Sequence, residues 1–380
     1  MRIAIVWIVL AGCSTAFAAD FTVDPTYTGP AGANNTYATL SAAIAAAPSG
    51  ATPIEPTRIL IHPGIYKQQL SVLQDNLDLI GTTGEAKDVV ITDDLNAITP
   101  KPDGSGNYGT TGASSTFIKG SNIVAVNVTF ENSTPLGGSQ AVAIKTSGDR
   151  IAFKNCAFAS FQDTLYVTMG RDYFLDCHVT GSVDFIFGNA TAIFDHCTIN
   201  SSHPGAVTAA NTKPATAVGM VFLGCTLTRD KELADGSVSL GRPWQYGTSD
   251  AEAIFIRCKM DGHISPAGWN PWDSRNTNPA GDSRYAESAS TDLDGKPLDV
   301  SKRVAWSHQL SADQAAQFTL ANVFGPGEFW QKREWSDFWG KRNHPAAAYA
   351  DYKFGGTWDP SVQLATSKVE GELATRAAPR

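Results

Sequence analysis

Asp163 and Asp184 each stand seven residues after a cysteine, Cys156 and Cys177 respectively. If those cysteines hold equivalent places in a repeating structure, the two carboxylates are neighbours in space. Two carboxylates about 5 Å apart at an effective dielectric near 20 repel by roughly 3 kcal/mol, about two pKa units. One then stays protonated near neutral pH and the other stays anionic. Covalent hydrolysis of an ester without a metal or a serine needs that division of roles, a nucleophile and a general acid/base. A lone aspartate in a turn is usually a turn residue. Two in one register, beside Phe161, Tyr166, Phe185 and Phe187, argue for chemistry. Gln162, next to Asp163, can donate a neutral hydrogen bond to a developing oxyanion.

The elements that must position this pair are written around the cysteines. Cys156, Cys177, Cys197, Cys225 and Cys258 each fall sixth in a similar octet: Ile151–Phe158, Asp172–Val179, Ala192–Ile199, Met220–Leu227 and Ala253–Met260. An earlier copy, Ile123–Phe130, carries Val128 in the cysteine column. Successive spacings in that column are 28, 21, 20, 28 and 33 residues, the range of one coil of a β-solenoid with loops of variable length. Third, sixth and eighth positions are mainly apolar or small, which turns them inward and the polar positions outward. The cysteines then read as small buried core residues. Coils about 4.8 Å apart would also let any adjacent pair form a disulfide in an exporting compartment. Spacings near 20 lack the paired ligands of a zinc site.

The chain of 380 residues is 42% hydrophobic and 17% charged, too apolar for disorder, and its 34 glycines and 20 prolines suit many short strands. A net charge of -8 argues against a nucleic-acid partner and does not favour a polyanionic one. Met1-Arg2, the apolar run from Ile3 to Leu10 and small residues up to Ala19 predict an export signal over 1–19 and a secreted product. Alternatively, Leu10 to Cys13 reads as a lipobox with Cys13 lipidated. A helix with Leu40, Ala43, Ile44 and Ala47 on one face is expected to cap one end of the solenoid. Ser311 and Gln314 form a capping box that opens a second helix running to Val323. Strands are expected at 58–62, 76–80 and 89–92. One domain over 20–365 follows, with 366–380 as a disordered tail and a monomer as the default state.

Short blocks carry a resemblance. Phe161–Tyr166, Val183–Gly188 and Leu240–Trp244, with Gln140–Ala143 and Gly64–Tyr66 upstream, resemble the signature blocks of the pectin methylesterases, in the right order from about Thr39 to Gly325. The resemblance implies an all-β, right-handed parallel β-helix that needs no cofactor and no metal and demethylates the galacturonate methyl esters of pectin. By motif, Asp184 would be the nucleophile, Asp163 the acid and then the base, and Gln140 and Gln162 the oxyanion donors. Arg242 would hold Asp184 ionised and oriented. Trp244, Tyr166, Phe187, Val183 and Thr110 would line the sugar groove, and the resemblance supports Cys177 with Cys197 as the bridge. Plainer roles exist: Arg242 as a surface ion-pair partner, Gln140 as a strand-edge amide, Trp244 as cover for core, and His203 as a solvated loop residue. Beyond Phe324 the chain continues through the aromatic stretches 329–335, 338–339 and 357–360, which could extend the groove or wrap the coils.

Two other functions fit the same scaffold. A pectate-type lyase would need clustered carboxylates for calcium and a basic residue. A solenoid that only binds pectin-like polysaccharide, or an esterase of altered specificity, would keep the groove; intact Asp163, Asp184 and Arg242 speak against simple binding.

Overall fold

The structure is a computed structural model that describes residues 20–48, 51–213, 216–244, 251–272, 283–325 and 356–367. Every ladder between its strands is parallel, and the chain winds as a right-handed parallel β-helix. One face stacks twelve strands, among them Thr57–Ile61, Leu77–Gly81, Ile123–Val126, Ile151–Lys154, Arg171–Leu175, Thr191–Asp195, Met220–Leu223, Glu252–Ile256 and Arg284–Ser288. A second face runs through Val89–Asp93, Thr129–Asn132 and Ala157–Ala159. A third runs through Leu70–Val72, Thr116–Ile118, Ile144–Thr146 and Leu165–Val167. The long strands His178–Gly188 and Thr198–Ala210 bend around the corner and join the second and third faces into one sheet.

The octets make this winding. Their fifth residue turns the chain from the first face to the second in a left-handed conformation: Asn127 (φ 58°), Asn155 (49°), Asp176 (52°), His196 (53°), Gly224 (59°) and Arg257 (52°). Asparagine, aspartate and glycine tolerate that region best, and four of the six positions use them. The third residues stack as rings in register, Phe153, Phe174, Phe194, Phe222 and Phe255, with centroids 4.9, 4.5, 4.6 and 4.4 Å apart. The sixth residues form the expected buried column of Val128 and five cysteines.

All five of those thiols are free, which corrects the Cys177–Cys197 disulfide. Neighbours in register on parallel strands project their Cβ atoms side by side at the coil spacing, about 4.8 Å, wider than the roughly 3.8 Å a disulfide prefers. The sulfurs are satisfied otherwise: Cys197 donates to Phe174 O (3.3 Å), Cys225 to Phe194 O (3.2 Å) and Cys258 to Phe222 O (3.5 Å), each one coil back.

At one end, helix Leu40–Ala46 buries Leu40, Ala43 and Ile44, and Thr39 caps it by accepting from Ala42 N. Strands Thr57–Ile61, Leu77–Gly81 and Val89–Asp93 lie within a residue of their expected positions. The second helix is two short ones, Ala312–Ala315 and Leu320–Phe324. The Ser311/Gln314 capping box opens the first, and Thr319 stops continuation by taking a non-helical conformation and capping the next turn through Asn322 N. The break turns Phe318 into an apolar cluster with Leu310, Ala315, Val323 and Phe324.

That cluster also corrects the expected polarity of the first face. Second octet positions, Val124, Ala152, Tyr173, Ile193, Val221 and Ile254, point away from the axis yet are buried, together with Phe318, Phe324 and Trp358. Residues 356–367, including helix Pro360–Thr366, lie over this face. Ser367, the last residue of this described segment, is buried. The expected signal segment 1–19 with its Cys13 alternative, the aromatic stretches 329–339 and the tail 368–380 lie outside the described residues. No helix among the described residues is long and apolar enough to cross a membrane.

Candidate active site

The two aspartates sit where the second face passes into the third. Gln162 and Val183 pair across adjacent coils, and Asp163 N donates to Val183 O at 3.1 Å, so Asp163 and Asp184 follow the paired residues in the same register. Both take left-handed backbone, φ 64° and 52°, in the bend that aims their carboxyls out of the ladder. Such conformations persist in non-glycine residues when surrounding structure over-determines them, and they gather at functional sites. Arg242 arrives from two coils further on. Strand Val238–Gly241 pairs with Ala206 and Thr208, and a Cβ at Gly241 would overlap the Thr208 side chain. Glycine there lets the chain approach closely enough for Arg242 N to donate to Thr208 O at 3.0 Å.

The guanidinium then grips Asp184 with both forks, Nε to Oδ1 at 2.8 Å and Nη2 to Oδ2 at 2.6 Å. The far side of the guanidinium lies 4.4 Å from the Trp272 ring centroid. This bidentate arrangement fixes the orientation of the Asp184 carboxylate. Asp163 is 8% exposed and Asp184 6%. Burial pushes the Asp163 carboxyl well above the usual range and the Asp184 charge raises it further, with Gln162 and Arg242 opposing. Burial also raises Asp184, but the hydrogen bonds and charge of Arg242 pull it back. Asp163 therefore holds its proton more tightly than Asp184.

These groups open on a cavity of about 470 Å³ lined by Gln140, Gln162, Asp163, Asp184 and Arg242, with Thr110, Thr111, Tyr166, Phe187, Ala209, Trp244 and Trp272 around them. The Gln140 amide oxygen accepts from Ser139 Oγ at 2.6 Å, which leaves its NH2 as the end able to serve an oxyanion. Tyr166 and Phe187 stack at 4.2 Å, and Trp244 meets them edge-on at 6.1 and 5.8 Å. The structure thus brings together nine of the expected residues. Val183 is the exception, since it supports the pair through the backbone and does not line the cavity. His203 packs against Phe161 at 5.3 Å and stays outside it. Trp272 was missed, although a signal existed: Pro271-Trp272 repeats Pro243-Trp244 at a spacing of 28 residues, and Gly241 pairs with Trp269. Among the described residues no group of three His, Cys, Asp or Glu is arranged to hold a metal ion, so the clustered carboxylates of a lyase are not found there.

A family model described as Pectinesterase matches residues 29–327. The chain belongs to the pectinesterase family. It is 35% identical over 285 residues to "Pectinesterase 31" of Arabidopsis thaliana, covering 73% of this chain and 85% of that one. Against "Pectinesterase/pectinesterase inhibitor 18" of the same plant it is 34% identical over 313 residues, 78% of this chain but 52% of that protein, so it spans about half the length of that relative. Among solved structures, pectin methylesterase PemA from Erwinia chrysanthemi superposes with a TM-score of 0.68 at 30% identity, covering 82% of this chain and 98% of that one. A pectin methylesterase in complex with a hexasaccharide gives 0.68 at 31% identity, covering 80% and 96%. Membership of this pectinesterase family makes the protein a carboxylic-ester hydrolase, and its fold is that of those solved enzymes.

Proposed function

We propose that this pectinesterase removes methyl groups from the galacturonate esters of pectin through an aspartyl acyl-enzyme. The observation that carries this is the bidentate hold of Arg242 on Asp184 beside a buried Asp163 that keeps its proton. An Asp184 oxygen attacks the ester carbonyl carbon. The charge that gathers on the carbonyl oxygen is met by the Gln140 and Gln162 amides. As the tetrahedral species collapses, the carbon–methoxy bond breaks and Asp163 gives its proton to the leaving oxygen, releasing methanol. The product is an anhydride between Asp184 and the sugar. Asp163, now anionic, takes a proton from water as that water attacks the sugar-side carbonyl, which frees the galacturonate and restores both aspartates. Every step uses side chains of this chain alone. Trp244, Tyr166 and Phe187 form an aromatic wall against which sugars pack. The predicted signal over 1–19 supports an exported enzyme, and a monomer suffices for this site.

The test is methanol release from highly methylated pectin, with chelator present, beside Asp184→Ala. The expected result is chelator-insensitive release that falls by at least about a thousandfold in the variant. Equal release from Asp184→Ala would sink the nucleophile assignment. No methanol from the wild type would leave a glycan-binding solenoid.

A further inference from the structure

Two amides line the cavity where an ester oxygen would gather charge, Gln140 and Gln162, and they are not held alike. Gln162 has a second claimant, since its side chain hydrogen-bonds the Asp163 carboxyl and opposes the burial that raises its pKa. The Gln140 side chain has one partner among the described residues, the hydroxyl of Ser139, which donates to Oε1 at 2.6 Å. An amide has two dissimilar ends on one broad, two-fold torsion. Turned one way it offers an N–H to an oxyanion; turned the other way it presents lone pairs that repel one.

The main chain around Gln140 does not depend on that hydroxyl. Gln140 O accepts from Ala97 N at 2.9 Å, Ala141 N donates to Gln162 O at 3.0 Å, and Val142 O accepts from Ser115 N at 2.9 Å. Asn132 is buried at the end of strand Thr129–Asn132 and shares its NH2 among Leu95 O, Ala113 O and Val142 O at 2.8, 3.2 and 3.3 Å. Three successive residues, 140 to 142, are thus tied to neighbouring segments through other groups. What remains for the Ser139 hydroxyl to decide is which end of the Gln140 amide is free. With Oε1 engaged, Nε2 is the end left to donate into the cavity. A donor set before the charge develops costs no reorganisation when it does.

We propose that Ser139 is a positioning residue for ester hydrolysis: its hydroxyl sets the Gln140 amide, so that Gln140 meets the oxyanion with Nε2 and carries a larger share of that charge than Gln162. This rests on the reading of the site as an aspartyl esterase. The serine itself touches neither the ester nor the aspartates in this scheme, and it acts only through its neighbour.

The experiment measures kcat and KM for methanol release from highly methylated pectin, with melting temperatures, for wild type, Ser139→Ala, Ser139→Thr, Gln140→Ala and the double variant Ser139→Ala/Gln140→Ala. Gln140→Ala should lower kcat by at least about a hundredfold, as for loss of an oxyanion donor. Ser139→Ala should lower kcat by about tenfold, the worth of one hydrogen bond. KM and melting temperature should stay unmoved, because the interaction serves a charge present only in the transition state. Ser139→Thr keeps the hydroxyl and should restore most of the rate. In the double variant, removal of the serine should cost nothing beyond the loss of Gln140. Wild-type kcat in Ser139→Ala overturns the proposal. So does a tenfold fall that recurs in the Gln140→Ala background, which would mean that the serine acts elsewhere, and so does a raised KM with kcat kept. If the wild type releases no methanol, the reaction assignment fails and the role of Ser139 falls with it. Methanol release by Gln140→Ala at the wild-type rate leaves the reaction standing and sinks the roles of Gln140 and Ser139 alone.

Discussion

In the proposed mechanism Asp184 depends on Arg242 as much as on its own carboxyl. Burial would otherwise favour the neutral acid, and an uncharged Asp184 is no nucleophile. The sign of the effect is testable. Arg242 favours the charged carboxylate, so Arg242→Ala raises the Asp184 pKa, and the anionic fraction disappears at a higher pH than before. The acid limb of the kcat/KM profile should move to higher pH, with activity lower throughout. The alkaline limb reports the loss of the Asp163 proton and should move up less, since Arg242 is the smallest of the influences on that group. A profile that only drops, with both limbs unmoved, would show that Arg242 does not set the ionisation of Asp184. The pair itself was legible from a spacing of seven residues after two cysteines. Trp272, which stacks on Arg242, was legible in principle from the repeated Pro-Trp dipeptide and was overlooked because a tryptophan after a proline can equally well cover core.

At the scale of the coil, the octet predicted inward positions well because a strand has only two sides, and an apolar third, sixth and eighth residue leave one register that buries them all. It said less about what those positions do to one another. Cysteines in one column suggested a bridge on Cα spacing alone, whereas Cβ geometry decides, and parallel strands in register hold Cβ atoms too far apart without distortion. The five column thiols should therefore all react with a thiol reagent after unfolding without reductant, and reductant should leave the melting temperature unchanged. A reductant-dependent melt, or fewer than five reactive thiols among them, would restore a bridge. The second helix failed for a related reason. Its capping box was genuine, but Thr319 and the pull of Phe318 toward an apolar pocket were tertiary facts with no local signature.

For the molecule as a whole, the apolar second positions of the octets create a demand that the coil cannot meet by itself. Segment 356–367 meets part of it. Trp358 packs against Phe324 at 4.7 Å and faces the Arg171 guanidinium, which donates to Phe324 O and Gly356 O at 2.8 Å each and pairs with Asp149 at 2.7 Å. Trp358→Ala should cost roughly 3 to 5 kcal/mol, the range for a buried tryptophan, read from chemical denaturation, while the charge arrangement at Asp163 and Asp184 stays intact. A loss below about 1 kcal/mol would mean that the segment rests on the coils without securing them.

A stack of coils in which each touches only its neighbours can fray from its ends and can begin folding anywhere. Here Gln363 Nε2 donates to Ile123 O and Arg150 O at 3.4 and 3.5 Å, across 240 and 213 positions of sequence. Its two acceptors lie on adjacent coils, so the contact forms only after those coils have paired and the distant segment has returned to them. Closure is thus a late event with a high entropic barrier, slow by its sequence separation. Once made, it ties early coils to segment 356–367, so that loosening of those coils there requires release of this clasp. The enzyme's resistance to proteolysis would then be governed by the rate of that one opening.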